Sequence, residues 1–222
     1  MMEEKYLEFA KDIAKEAGKI FLKYFKMDNG ASYKGDKTIV TLADKEINTY
    51  LIERVKKEFP RHSVDGEEET FGQSNYVWVC DPVDGTAMYA RHIPVAVFSL
   101  ALVIDGVPVL GVIYDVFTDN LYYAIKGKGA FKNEEKIIVN DILLDDMRSV
   151  SYFDMWPEAE YNLFDPLKKL GKKTYFVSLG SIIRSSMCVA NGEFTFAIFP
   201  GTKHKNCDIA AVKVIVEEAG GK

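Results

Sequence analysis

The chain has 222 residues, 48% of them hydrophobic and 27% charged, enough to bury a substantial core in one large domain or two small ones. A formal net charge of −5 with mixed signs argues against a nucleic-acid partner, because phosphate backbones recruit basic surfaces; a small anionic substrate stays open if metal ions screen the acids. Three cysteines, Cys80, Cys188 and Cys207, form no CxxC pair, which excludes a disulfide framework or a structural zinc site and reads as reduced thiols.

From residue 4 to 25, apolar residues recur at three- and four-residue steps (Tyr6, Phe9, Ile13, Ala17, Phe21) and predict a long amphipathic helix. The N-terminus lacks a signal-peptide layout. A polar loop with Gly30, Gly35 and Asp36 follows. A second helix is expected from Thr41, through Ile47, Leu51, Ile52 and Val55, to a stop at Pro60, with Thr41-Leu42-Ala43-Asp44 as its capping box. From Tyr76 the pattern turns to strands near 77–80, 95–104, 107–114 and 121–125, divided by turn residues such as Asp105-Gly106, which predicts an antiparallel meander. The run 95–104 is the longest apolar stretch and is about half a membrane span, so no membrane partner is expected and the cytoplasm is the default location. The final third alternates: a strand near 174–178, a helix over 181–190, a strand near 194–199 and a helix from about 208. The fold class is α/β, a layered sandwich of helices and sheets. No linker separates independent units, so one domain is expected over 1–222, with subregions of about 1–145 and 146–222.

The chemistry is expected at Asp81-Pro82-Val83-Asp84-Gly85-Thr86. Two carboxylates at the end of an apolar strand, with Pro82 restricting the backbone and Gly85 permitting a sharp turn, can face one point. Close carboxylates repel unless a cation neutralises them, and hard oxygen ligands favour Mg²⁺, Ca²⁺ or Mn²⁺ over zinc. An ordinary turn uses the same residue types. Upstream, Gly66-Glu67-Glu68-Glu69 is either a ligand run or a solvated surface; downstream, Asp208 before Ile209-Ala210-Ala211-Val212 is either a ligand or an N-cap.

Taken together and in order, these segments resemble the superfamily of inositol monophosphatases, archaeal-type fructose-1,6-bisphosphatases and nucleotide 3′-phosphatases. Gly66-Glu67-Glu68 is similar to its glutamate motif, Asp81 to Thr86 to its DPxDGT signature, and Asp208-Ile209-Ala210-Ala211 with Glu218-Ala219-Gly220-Gly221 to its C-terminal signature. The resemblance implies metal ligands at Glu67, Asp81, Asp84, Asp208 and the Val83 carbonyl, for two or three Mg²⁺ ions with Mn²⁺ as a substitute. It also implies that Asp44 and Thr86 orient a metal-bound water, with Glu67 and Asp81 holding the metal that activates it and Asp81, Asp84 and Asp208 holding a second at the leaving oxygen. Backbone N–H groups of Gly85 and Thr86 are expected on a phosphate oxygen.

The resemblance further implies a homodimer and a small phosphorylated substrate read by residues near Gly180-Ser181 and by the segment before Asp208. Where animal inositol monophosphatases carry an acid, this chain has Gly201-Thr202-Lys203-His204-Lys205. Lys203, His204 and Lys205, with Arg184, form either a solvated basic loop or a second-phosphate site. The second reading puts fructose 1,6-bisphosphate first, inositol 1-phosphate beside it and 3′-phosphoadenosine 5′-phosphate third. Relatives continue past the point where this chain stops, so a fragment or a shortened member is expected. A shortened, catalytically weak metal-binding protein with an assembly or regulatory role is the competing class.

Overall fold

The three-and-four spacing at the start does what it predicts. Helix α1 (Met2–Phe25) turns Tyr6, Phe9, Ala10, Ile13, Ala14, Ala17 and Phe21 inward and leaves most of its acids and lysines in solvent, with Lys11 laid over the Tyr123 ring. The computed structural model describes residues 2–35, 38–154, 162–170, 174–200 and 207–222. A short antiparallel pair, β1 (Ser32–Tyr33) and β2 (Ile39–Val40), leads into α2 (Leu42–Glu58). The capping box at its start is real: Thr41 N–H and Oγ1–H both donate to Asp44 Oδ2, at 2.8 and 2.5 Å.

Next come β3 (Ser63–Gly66), β4 (Thr70–Phe71), β5 (Tyr76–Asp84), the single-turn α3 (Thr86–Tyr89), β6 (Val97–Ile104), β7 (Val107–Asp115), β8 (Asn120–Ile125), β9 (Ala130–Lys132) and β10 (Glu135–Ile137). The strands form one sheet in the order β10-β9-β8-β7-β6-β5-β3-β4. The meander from β5 to β8 is antiparallel as expected, and Asp105 and Gly106 both adopt positive φ at the β6–β7 turn, which matches the right-handed twist of the strands. The sequence reading lacked β3, which runs parallel to β5, and the β9–β10 hairpin. The remaining elements are β11 (Val150–Phe153), α4 (Phe164–Leu170), β12 (Tyr175–Val177), α5 (Ile182–Ala190), β13 (Phe196–Ile198) and α6 (Cys207–Glu218). The strands among them make a parallel sheet in the order β12-β11-β13.

Each face of the large sheet is covered, which explains why its central strands read as near-continuous apolar runs. α1 and α2 pack on one face against Trp78, Phe98, Leu100, Leu102 and Tyr114. α5 and α6 pack on the other against Val97, Ala101, Ile113 and Ala124, and α5 also meets β13 of the small sheet. The order is therefore helices, sheet, helices, sheet: the α/β layered architecture expected. The cysteines are free thiols. No helix among the described residues is long and apolar enough to cross a membrane.

Candidate metal centre

Strand β5 runs buried to its last residue, so Asp81 and Asp84 are delivered into the protein rather than to solvent. The ladder with β6 breaks register between them, and Asp81 Oδ1 accepts the Val83 N–H at 3.0 Å. Gly85 then takes φ 88°, and a Cβ there would lie 2.9 Å from the Gly180 carbonyl oxygen. Glycine at 85 thus serves the close approach of the loop before α5. That approach places the α5 N-terminus on Asp84, whose Oδ2 accepts the Ser181 hydroxyl and, at 2.9 Å, the Ile183 N–H. Ser181, expected among the substrate contacts, is found orienting Asp84 and capping α5, since its Oγ also accepts the Arg184 N–H at 3.1 Å.

The glutamate run sits opposite, on the loop from β3 to β4, and is clamped by α2. Asn48, one turn after Asp44, donates Nδ2–H to the Glu69 carbonyl at 3.0 Å and accepts the Glu68 and Glu69 N–H groups at 3.3 Å. A Cβ on Gly66 would stand 2.1 Å from Asn48 Oδ1 and 2.7 Å from the Glu69 carbonyl. Gly66→Ala is expected to destabilise the fold by about 1–3 kcal/mol, measured by urea unfolding, because backbone and clamp must both move. Carboxylate oxygens of Asp44, Glu67 and Glu68 lie within 4.8 Å of one another. Lys34 Nζ donates to Glu67 Oε1 at 2.9 Å and Glu68 Oε1 at 2.5 Å; burial works against its charge, but the two hydrogen bonds outweigh it and hold Lys34 above its usual range.

Asp208 enters from the first turn of α6. Burial, then the charges of Glu67, Asp208, Asp84 and Asp44, pushes Asp81 well above the usual carboxylate range. Asp84 is pushed up to about 7 by burial and Asp208, and Asp208 up to about 6 by burial and Glu67. Asp44 is pushed up to about 7 by burial, against the opposing pull of its Thr41 hydrogen bonds. Among the described residues no lysine or arginine pairs with Asp81, Asp84 or Asp208. Three buried side-chain polar atoms of the described residues lack a hydrogen-bond partner, and two are here: Asp44 Oδ1, and Ser99 Oγ, which stands opposite Asp81 across the β5–β6 ladder. Mutually repelling acids, unshared oxygens and an all-oxygen donor set fit a hard divalent cation.

Thr86 Oγ1 donates to the Val83 carbonyl at 2.7 Å, so its proton is committed and its lone pairs remain as acceptors. As first-turn residues of α3, Thr86 and Ala87 have N–H groups without an intrahelical acceptor. Arg184 is turned toward β7, where its Nε donates to Asp115 Oδ2 at 3.0 Å. Lys203, His204 and Lys205 lie outside the described residues. Lys34, Asn48 and Ser99 were missed by the sequence reading. Asn48 was the most discoverable, because Asp44 and Asn48 interrupt the apolar stripe of α2 four residues apart.

The model of the inositol monophosphatase family matches residues 2–222. The chain belongs to the inositol monophosphatase family. A fructose-1,6-bisphosphatase/inositol-1-monophosphatase of Thermotoga maritima is 31% identical over 97% of this chain and 82% of its own length. Inositol monophosphatase 3 of Solanum lycopersicum is 34% identical over 62% of the chain and 53% of its own length, so the alignment spans about half of that relative. Among solved structures, the inositol monophosphatase of Anabaena superposes with a TM-score of 0.83 at 28% identity, over 100% of this chain and 84% of that one.

Proposed function

We propose that the chain is a Mg²⁺-dependent phosphatase for small sugar or polyol phosphate monoesters. The observation that carries this is the centre itself: Asp81 and Asp84 are buried, Asp208 is half-buried in the first turn of α6, the charge of Glu67 reaches Asp81 and Asp208, and among the described residues no lysine or arginine pairs with any of the three aspartates. Glu67, Asp81, Asp84, Asp208 and the second lone pair of the Val83 carbonyl would hold the cations. Bound there, hard divalent ions supply an activated water, neutralise phosphoryl oxygens and stabilise the leaving oxygen.

The chain's own groups do the positioning. Asp44 Oδ1 and Thr86 Oγ1 are both acceptors, so between them they can accept a water's two O–H hydrogen bonds and orient its lone pair. Asp44 Oδ2 stays fixed by Thr41 throughout. N–H groups at the Gly85–Thr86 turn receive a phosphate oxygen, and Ser181 and the Ile183 N–H keep Asp84 aimed as charge builds.

For substrate, the basic run Lys203, His204 and Lys205 favours a second phosphate, which places fructose 1,6-bisphosphate first and inositol 1-phosphate beside it. The relative from Thermotoga maritima carries both activities in its name. Phosphate release is expected from both compounds with Mg²⁺ and from neither with EDTA. Mg²⁺ binding without release would establish the competing non-enzymatic role. Lys203→Ala combined with Lys205→Ala should raise KM for the bisphosphate more than for the monophosphate, and equal rises would sink the bisphosphate reading.

A further inference from the structure

A separate polar cavity of about 90 Å³ lies between α5 and strands β6 to β9, lined by none of the proposed metal ligands. One water needs roughly 10–15 Å³ of such space, so a polyatomic ion fits. Three donors reach it without a described hydrogen-bond acceptor. Arg184 commits Nε to Asp115 and keeps its two Nη groups. Lys132 Nζ stands 5.5 Å from the Tyr122 ring centroid, and the Tyr122 hydroxyl is the third, on a side chain that is almost wholly buried.

The acids around it are spoken for. Asp115 gives Oδ2 to Arg184 and Oδ1 to the Phe117 and Thr118 N–H groups at 3.1 and 3.3 Å. Glu193 is an exposed residue of the lining whose Oε1 accepts Asn191 Nδ2–H at 2.6 Å; its charge reaches Tyr122 and Cys188 and is the one the Lys132 ammonium must offset. The Cys188 thiol is pushed up to about 12 by burial and Glu193 and adds no negative charge at neutral pH.

We propose that this cavity is a second oxyanion site that takes inorganic phosphate through the Arg184 Nη groups, Lys132 Nζ and the Tyr122 hydroxyl. Two fixed cations and a neutral donor suit a doubly charged tetrahedral ion, and charge-assisted bonds of this kind are the strong ones. The ion would also sit one short step from the metal centre. Arg184 N–H donates to Ser181 Oγ, and the Ser181 hydroxyl donates to Asp84, so a ligand that restrains Arg184 restrains the helix end that aims a metal ligand.

The test is titration calorimetry of the whole chain with potassium phosphate in EDTA, against potassium chloride at equal ionic strength. Without cations the acidic centre repels phosphate, and saturable binding that depends on Lys132 rather than on Lys203 and Lys205 reports the second site whether or not the protein is a phosphatase. One phosphate per chain is expected. Lys132→Ala, with an unchanged circular dichroism spectrum, should weaken it at least ~10-fold, the loss of one charge-assisted hydrogen bond. Tyr122→Phe should weaken it by a smaller factor. No saturable binding to the metal-free chain, or equal affinity in Lys132→Ala, overturns the proposal.

Discussion

Asp84→Asn is expected to lose at least ~100-fold in kcat/KM for phosphate release and yet to raise the thermal midpoint of the metal-free protein. Asparagine keeps an acceptor for the Ser181 hydroxyl and the Ile183 N–H, so the anchor of α5 survives. What disappears is a ligand charge, and losses of 10–100-fold already follow from disturbing only the partners of metal ligands. The same substitution removes one of several buried acids that burial and mutual repulsion hold well above their ordinary range. Each kcal/mol so recovered raises the midpoint of a chain this size by about 2–4 °C. Opposite signs in the two measurements identify a metal ligand. A fall in both would mark Asp84 as a structural acid, and near-normal turnover by the folded variant would remove it from the site.

Lowering the pH from 8 to 6 should stabilise the metal-free protein, and saturating Mg²⁺ should abolish or reverse that slope. In the folded chain Asp44 and Asp84 are pushed up to about 7 and Asp208 up to about 6, whereas unfolded aspartates titrate near ~3.9. Between pH 8 and 6 the folded state therefore takes up protons that the unfolded state does not. The stability these groups contribute is fully present below the unfolded value and is lost as pH rises through 6 to 7. A divalent cation favours the ionised form, so its stabilising effect is expected to be larger at pH 8 than at pH 6. Scanning fluorimetry at both pH values, with chelator and with Mg²⁺, decides the matter. A flat metal-free profile would mean that the acids do not share one desolvated centre.

The layered fold was legible because its longest elements are locally consistent. α1 shows an uninterrupted helical stripe, the β5–β8 strands are apolar runs divided by turn residues, and α5 and α6 begin where Ser181 and Asp208 suggest. The strands that were not legible are short or depend on distant partners. β3 has only four residues and is held by parallel pairing to β5, which no local pattern encodes. The acidic motifs announced the proposed ligands but not how they are aimed. Asp44 shows why: the capping-box reading is met by Oδ2, and the proposed site role falls to Oδ1, which is buried without a partner. Ser181 likewise was visible as a residue of interest, whereas its use as a rein on Asp84 depends on a contact made across the fold. Lys34 gave no signal at all, because a lysine in a polar loop looks like any other until Glu67 and Glu68 are brought to it.

The bonds that hold Asp84 join it to residues 97 and 99 positions later in the chain, and α6 supplies Asp208 later still. Contacts of such long sequence separation form late, because loop-closure entropy must be met before they reward the chain. During synthesis the α1, α2 and meander segments can assemble well before the α5 and α6 segments exist. Cation uptake is then expected only once α5 and α6 have joined the large sheet, and refolding followed by metal binding should lag refolding followed by the fluorescence of Trp78 in the first core.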